Sequence, residues 1–393
     1  MRSGFWKWLG FVFVIATRLQ VGAQTNGIFA DFTTSLGDFS CQLDYTNSPK
    51  AVANFVGLAT GARAWLDVVT GEARTNAFYD GLTFHRVITN LIGQAGSPNG
   101  QGTDTPGYAF VDQFAATLNF NKPWILAMAN SGPDSNGSQF FVTAATNAAW
   151  NNQYVIFGKV VSGTNVVAAI TRVPTDANEK PLTNVVIQQV TIRRLGDAAQ
   201  AFDVNAHGLP LVTNIPLKLT QKSKQILLTY SNRLFADNRY YSATNLSSWV
   251  ANSLGVETAA PSSNTVQVAM SSPQEFFRFA QIQYPSSTFA PKTLFGETVT
   301  LVFATQTKGT CIIVFNNTGG GTFKFAGSPG TISSYAWSQD VYRGALYPIV
   351  FSAGLPEMTL QMNFSSAKAG KFSGSAYYGP FPVPVSGTFT LAP

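Results

Sequence analysis

Charge is scarce in this 393-residue chain: Asp, Glu, Lys and Arg together make up only 11% of it. No Lys/Arg-rich run occurs, which argues against a nucleic-acid-binding surface. The formal net charge is +6, and setting aside Arg2, Lys7 and Arg18 near the start leaves +3. Histidine numbers only two, so a His-based metal cluster or a Ser-His-Asp site has almost no material. His85 reads as a locally bonded residue facing away from any ligand. Cysteine also numbers two. Phe39, Cys41 and Leu43 alternate with Ser40, Gln42 and Asp44, the period of a half-buried strand, so Cys41 faces inward. Cys311 starts a separate strand, and two buried free thiols are expected rather than a disulfide. Beyond the N-terminus no run of roughly 18 apolar residues occurs, so no further membrane span is expected.

What is present is a core-rich composition, 45% hydrophobic, which argues against disorder. Residues 1–23 read as a secretory signal peptide. Arg2 and Lys7 form the basic region, Trp8 to Ala16 the short apolar stretch, and Val21-Gly22-Ala23 the small-residue cleavage site. Export to a periplasmic or extracellular compartment of a bacterium is therefore expected.

Ile28, Ala30 and Phe32 alternate, Leu36-Gly37-Asp38 turns, and Phe39-Cys41-Leu43 returns as a second strand. Ser48-Pro49 opens a helix, with Ser as N-cap and Pro at the first helical position. Val52, Phe55, Val56 and Ala59 share one face, and Gly61 ends it. Residues 62–77 read as a polar surface loop. The glycines of Ser97-Pro98-Asn99-Gly100-Gln101-Gly102 fit tight turns rather than a phosphate-binding pattern. A second helix is predicted from Thr164, with Val166, Val167 and Ile170 inward, and a closing strand over Val185 to Ile192.

Two runs carry the functional reading. One is Phe78-Tyr79-Asp80-Gly81-Leu82-Thr83-Phe84-His85-Arg86-Val87-Ile88, followed by Gln94-Ala95-Gly96. The other is Ile125-Leu126-Ala127-Met128-Ala129-Asn130-Ser131-Gly132-Pro133-Asp134-Ser135-Asn136-Gly137-Ser138-Gln139-Phe140-Phe141. Each sets isolated donors (Arg86, Gln94, Asn130, Gln139) among apolar residues, which suits a mostly apolar ligand carrying amides. These runs, their order and their separation resemble the cyclophilin-type peptidyl-prolyl isomerase signature, and the resemblance extends over about residues 27–194. It implies an eight-stranded antiparallel β-barrel with two capping helices, no cofactor and no metal. It places Arg86 at the catalytic arginine and Gln94 beside it, as the glutamine that bonds the substrate backbone. It makes Ala129, Asn130 and Ser131 the peptide-gripping segment, with Gln139 and Phe141 as contact residues. Leu91, Ile92, Phe141 and Tyr154 line the proline pocket, with Trp150 near it. Leu91 stands where the family usually has Phe, Ile92 where it often has Met, and Tyr154 where many members have His. Ala149-Trp150 aligns imperfectly with the family's usual Trp-Leu pair, so that Trp150 either stands one position from the usual tryptophan or fills the neighbouring leucine site.

The expected division is 1–23 signal peptide, 24–194 isomerase-like domain, 195–205 linker, 206–288 a β domain and 289–393 a β sandwich or barrel. Strands are predicted at Gln225 to Tyr230, Thr265 to Ala269, Phe276 to Tyr284, Thr298 to Ala304, Cys311 to Phe315, Thr359 to Phe364 and Gly387 to Leu391. The resemblance implies a prolyl isomerase acting on proline-containing polypeptides. Two other readings stand beside it: a non-catalytic fold that binds Pro-containing segments, and an adhesion protein whose C-terminal β domains bind an envelope or glycan partner.

Overall fold

The computed structural model describes residues 26–392 apart from 133, 258–262, 286–289, 292–293, 305–308, 317–318, 341–342, 352–356, 367 and 379–380. The signal segment expected over 1–23 lies outside the described residues.

Period-two alternation forms the first hairpin. Strand β1 (Gly27–Thr34) and strand β2 (Gly37–Leu43) pair antiparallel, with Phe32 opposite Phe39 and their rings stacked at 4.5 Å. Ile28, Ala30, Phe32, Phe39, Cys41 and Leu43 are all buried, as the alternation requires. Helix α1 (Pro49–Thr60) starts at its proline and ends at Gly61, whose φ of 71° is left-handed. Ser48 does not cap it; its hydroxyl donates to Ile156 O at 2.6 Å and ties the helix start to the barrel. The chain continues through β3 (Trp65–Asp67), β4 (Glu72–Arg74), β5 (Arg86–Ile88), β6 (Ile92–Ala95), β7 (Ile125–Met128), β8 (Phe140–Thr143), β9 (Ile156–Ser162), α2 (Thr164–Ile170), β10 (Ile187–Leu195) and α3 (Asp197–Gln200).

Eight strands form one antiparallel sheet in the order β10-β1-β2-β9-β7-β8-β6-β5. The ends of this sheet are joined outside the strands. Thr83 bridges Val186, Phe84 N donates to Val185 O at 2.9 Å, and Ile187 N donates to Leu82 O at 2.7 Å. The sheet thus curls into the expected barrel, with α1 and α2 packed on it. Gly107 to Phe110 adds only an isolated bridge between Phe110 and Asn136 rather than a strand. Cys41 and Cys311 are buried free thiols.

Residues 62–77 are more than a loop. They contain the β3–β4 hairpin, with Leu66 fully buried, and this hairpin carries the next unit. Arg278 donates to Thr70 O at 3.0 Å, and Ala73 N donates to Asn214 Oδ1 at 3.1 Å. Residues 195–205, expected as a linker, lie against the barrel. They include α3, and Ala199, Phe202 and Val204 are buried.

The middle unit consists of two antiparallel sheets. One orders Leu211–Asn214, Phe276–Gln283, Ala236–Ala243 and Val250–Glu257; the other orders Lys218–Lys222, Gln225–Ser231 and Ser263–Ala269. The C-terminal unit is a barrel rather than a sandwich. Its sheet runs Ser328–Ser334, Gly321–Phe325, Gly309–Phe315, Thr298–Phe303, Phe381–Ala392, Ala369–Tyr378, Glu357–Ser366, Arg343–Phe351 and then Trp337–Asp340. Pairing of Ile332 with Phe351 and of Ser334 with Val350 closes it around its own apolar core.

Candidate active site

Strand register assembles the site. Arg86 on β5 is opposite Gln94 on β6, Gln94 is opposite Phe141 on β8, and Phe141 is opposite Ala127 on β7. Directly opposed residues project to the same face of a sheet, so these four form one row across four strands. The next row on that face pairs Ile88, Ile92 and Thr143. Val87, Gly93, Val142 and Leu126 fall on the other face, toward the barrel interior.

At one end of the row the side chains form a polar track. Arg86 Nε donates to Glu179 Oε2 at 2.6 Å, and Arg86 Nη1 donates to Gln94 Oε1 at 3.4 Å. Gln94 Nε2 donates to Gln139 Oε1 at 3.0 Å, and Gln139 Nε2 donates to Gly102 O and Asp104 O, each at 3.0 Å. Each amide thus both accepts and donates, which fixes its orientation. The Arg86 side chain remains 45% exposed, so the track ends in a guanidinium open to solvent.

At the other end lies an apolar cluster of Ile92, Phe120, Ala127, Ala129, Phe141 and Ile156. Ile88, Leu91, Leu118, Ile125, Trp150 and Tyr154 pack around it, partly buried. Its aromatic wall is specific in geometry. Phe141 stacks on Phe120 at 5.9 Å and meets Trp150 and Tyr154 edge-on at 5.5 and 5.3 Å. Trp150 ends a 3₁₀ turn over Ala148–Trp150, in which Asn147 Oδ1 accepts from Ala149 N. A cavity of about 510 Å³, lined by Gln42, Asp44, Lys122 and Lys159, shares Leu118, Ile125 and Ile156 with this cluster but lacks Arg86 and Gln94.

Between the two ends runs the 129–132 segment. Ala129 N donates to Gln139 O at 2.9 Å. The Asn130 side chain donates to Gln153 O at 2.8 Å and accepts from Gly132 N, clamping the loop that carries Trp150 and Tyr154. Ser131 N is taken by Ser135 Oγ at 2.9 Å. Asn130 therefore acts locally through its side chain. Beneath the segment, Asp112 Oδ2 accepts from Asp134 N, and Asp112 Oδ1 accepts from Asn136 Nδ2. Burial pushes the Asp112 carboxyl up to about 6, although these bonds hold it down in part.

His85 is buried behind the track, with Nε2 close to Gly102. Burial lowers its pKa, and the nearby Asp104 charge opposes that only in part. It precedes β5 rather than lying in it, and neither ring nitrogen has a hydrogen-bond partner among the described residues, so the local bond expected of His85 is absent.

All eleven residues named from the sequence fall in this region: Arg86 and Gln94 on the track with Gln139, Leu91, Ile92, Ala129, Phe141, Trp150 and Tyr154 in or around the apolar cluster, and Asn130 and Ser131 between. Phe120 and Glu179 were not anticipated. Phe120 sits in Leu118-Asn119-Phe120-Asn121, which has no strand or helix period, and Glu179 pairs with a partner 93 residues away. Among the described residues no group of three or more His, Cys, Asp or Glu could hold a metal ion.

Residues 29–192 match the family described as cyclophilin type peptidyl-prolyl cis-trans isomerase/CLD. The chain is 45% identical over 168 residues to peptidyl-prolyl cis-trans isomerase B of Streptomyces anulatus, covering 42% of this chain and 96% of that protein. It is 44% identical over 165 residues to peptidyl-prolyl cis-trans isomerase A of Mycobacterium tuberculosis, covering 42% and 91%. Among solved structures, a cyclophilin type peptidyl-prolyl cis-trans isomerase of Cryptosporidium parvum matches at 29% identity and a TM-score of 0.38, covering 43% of this chain and 98% of that one.

Proposed function

Because the chain belongs to the cyclophilin-type peptidyl-prolyl cis-trans isomerase family, we propose that it isomerises X–Pro bonds of exported polypeptides at the Arg86–Phe141 row, assisting their folding. The reaction crosses a barrier of about 18–20 kcal/mol without making or breaking a bond. Catalysis then consists of holding the twisted amide more tightly than the planar one. Twisting removes resonance, and the prolyl nitrogen regains a lone pair that accepts a hydrogen bond. Arg86 supplies a fixed, permanently protonated donor. The apolar cluster around Phe141 receives the proline ring, and Gln94 together with the Asn130 backbone holds the flanking peptide. The observation that supports this reading is the register itself, which puts the Arg86 guanidinium and the aromatic cluster around Phe141 on the same face, with Gln94 between them.

Export rests on the residues before the barrel: Arg2 and Lys7, the apolar Trp8 to Ala16, and Ala23 before Gln24. The test has two parts. The full chain should accelerate isomerisation of a proline peptide in a protease-coupled assay, and N-terminal sequencing of the protein recovered outside the cytoplasm should begin at or near Gln24. Peptide binding without acceleration would favour a binding module instead. A recovered protein that still begins at Met1 would remove the cleaved-signal reading.

A further inference from the structure

We propose that Glu179 is a positioning residue for Arg86, and that the 175–181 loop is thereby part of the catalytic apparatus; this rests on the reading of Arg86 given above. The loop is tightly built. Thr175 bridges Pro181, Asp176 N donates to Lys180 O at 2.8 Å, and Asp176 Oδ1 accepts from Asn178 N and Lys180 N at 2.8 and 2.9 Å. Glu179 occupies the left-handed region at φ 63°, uncommon for a residue with a side chain. Its backbone is pinned to the strand that carries the arginine, because Val87 N donates to Glu179 O at 2.7 Å. The carboxylate then takes Arg86 Nε at 2.6 Å, while Gln94 takes Nη1.

The guanidinium has five N–H donors in one plane. Glu179 takes the Nε hydrogen and Gln94 one Nη1 hydrogen, which leaves the other Nη1 hydrogen and both Nη2 hydrogens for a substrate. The pair is half-exposed, with side-chain exposures of 45% and 41%, and an exposed pair of this kind contributes little to stability. Its consequence is orientation. A carboxylate beside the arginine weakens its positive potential, but the twisted amide develops a lone pair rather than a full charge. Donor direction therefore counts for more than net charge.

The assay is proline-peptide isomerisation by the full chain, comparing wild type, Glu179→Ala, Glu179→Gln, Arg86→Ala and the Glu179→Ala/Arg86→Ala double variant, with folding of each checked by thermal melting. Glu179→Ala should lower kcat by roughly tenfold with KM little changed, because the donor is loosened rather than removed. Glu179→Gln should recover most of that loss, since a neutral amide oxygen still accepts from Nε. In the Arg86→Ala background, Glu179→Ala should have no further effect. A Glu179→Ala rate equal to wild type, while Arg86→Ala collapses, would overturn the positioning role and leave the catalytic arginine standing. The same fold-loss from Glu179→Ala in both backgrounds would assign Glu179 a structural role instead. A wild-type rate in Arg86→Ala alone would remove the catalytic assignment on which the inference rests.

Discussion

Phe140 and Phe141 are adjacent, carry the same side chain, and serve opposite faces of the sheet. Phe140 packs inside the barrel against Phe32, Phe55 and Tyr79, while Phe141 forms the aromatic wall of the site with Phe120, Trp150 and Tyr154. Strand alternation makes that division, and it is legible in the sequence once Phe140 is placed in a strand. His85 lies just ahead of β5, outside the strand alternation. Its imidazole is buried, and burial lowers its pKa from the ordinary 6.5. The unfolded chain therefore takes up this proton more readily than the native state. The stability His85 contributes is present above about 6.5 and is lost as pH falls through its lower native value. Asp112, pushed up to about 6, acts in the opposite sense, so a difference between proteins is the informative readout. The urea midpoint of His85→Phe should gain on wild type between pH 7 and pH 5; a pH-independent difference would contradict a buried neutral His85. Phe120 and Glu179 escape this kind of reading because their roles come from contacts between distant loops, which no local period records.

Elements with plain periods were legible, and elements built around buried polar groups were not. The β1–β2 hairpin and α1 follow from alternation and from i, i+3, i+4 spacing. Strand Ala236–Ala243 reads ADNRYYSA and gives no such signal. It is central to its sheet because its polar side chains are satisfied there: Asn238 donates to Asn232 Oδ1 at 2.9 Å and accepts from Gln281 at 2.9 Å, and Asp237 pairs with Arg239 at 2.6 Å. The β3–β4 hairpin was hidden in the same way among polar residues. Its turn depends on Gly71, at φ 72°, where an added Cβ would fall 2.2 Å from the Tyr241 ring. Gly71→Ala combines left-handed strain of about 1–2 kcal/mol with that clash. It should lower hydrogen-exchange protection across Phe276–Gln283 while leaving the isomerisation rate intact. Unchanged protection there would mean that the hairpin does not hold the middle unit.

At the scale of the whole molecule, one apolar core runs from Ile28 in the first strand to Tyr284 in the middle unit, and the C-terminal barrel has a core of its own. An Ala-rich stretch at 195–205 carries no sequence sign of packing, yet it is bound on both sides. Arg194 donates to Phe202 O at 2.7 Å, and Phe202 meets Tyr45 at 5.5 Å. Buried Arg63 donates to Val204 O at 3.3 Å and also to Pro210 O. Those partners lie more than a hundred residues apart in the chain, which is why composition alone reads the segment as a spacer. All of this architecture leaves the half-exposed Arg86 guanidinium in one row with an aromatic cluster, and the most direct measurement addresses that group in the full chain. Wild type and Arg86→Ala, each shown to be folded, are compared in the same proline-peptide isomerisation assay. Wild type should exceed the uncatalysed rate, and Arg86→Ala should lose about 10²–10³-fold in kcat/KM, the usual cost of one preorganised transition-state donor. Peptide affinity should change far less, because the planar amide nitrogen is a poor acceptor. Equal rates for the two proteins would contradict the catalytic assignment of Arg86.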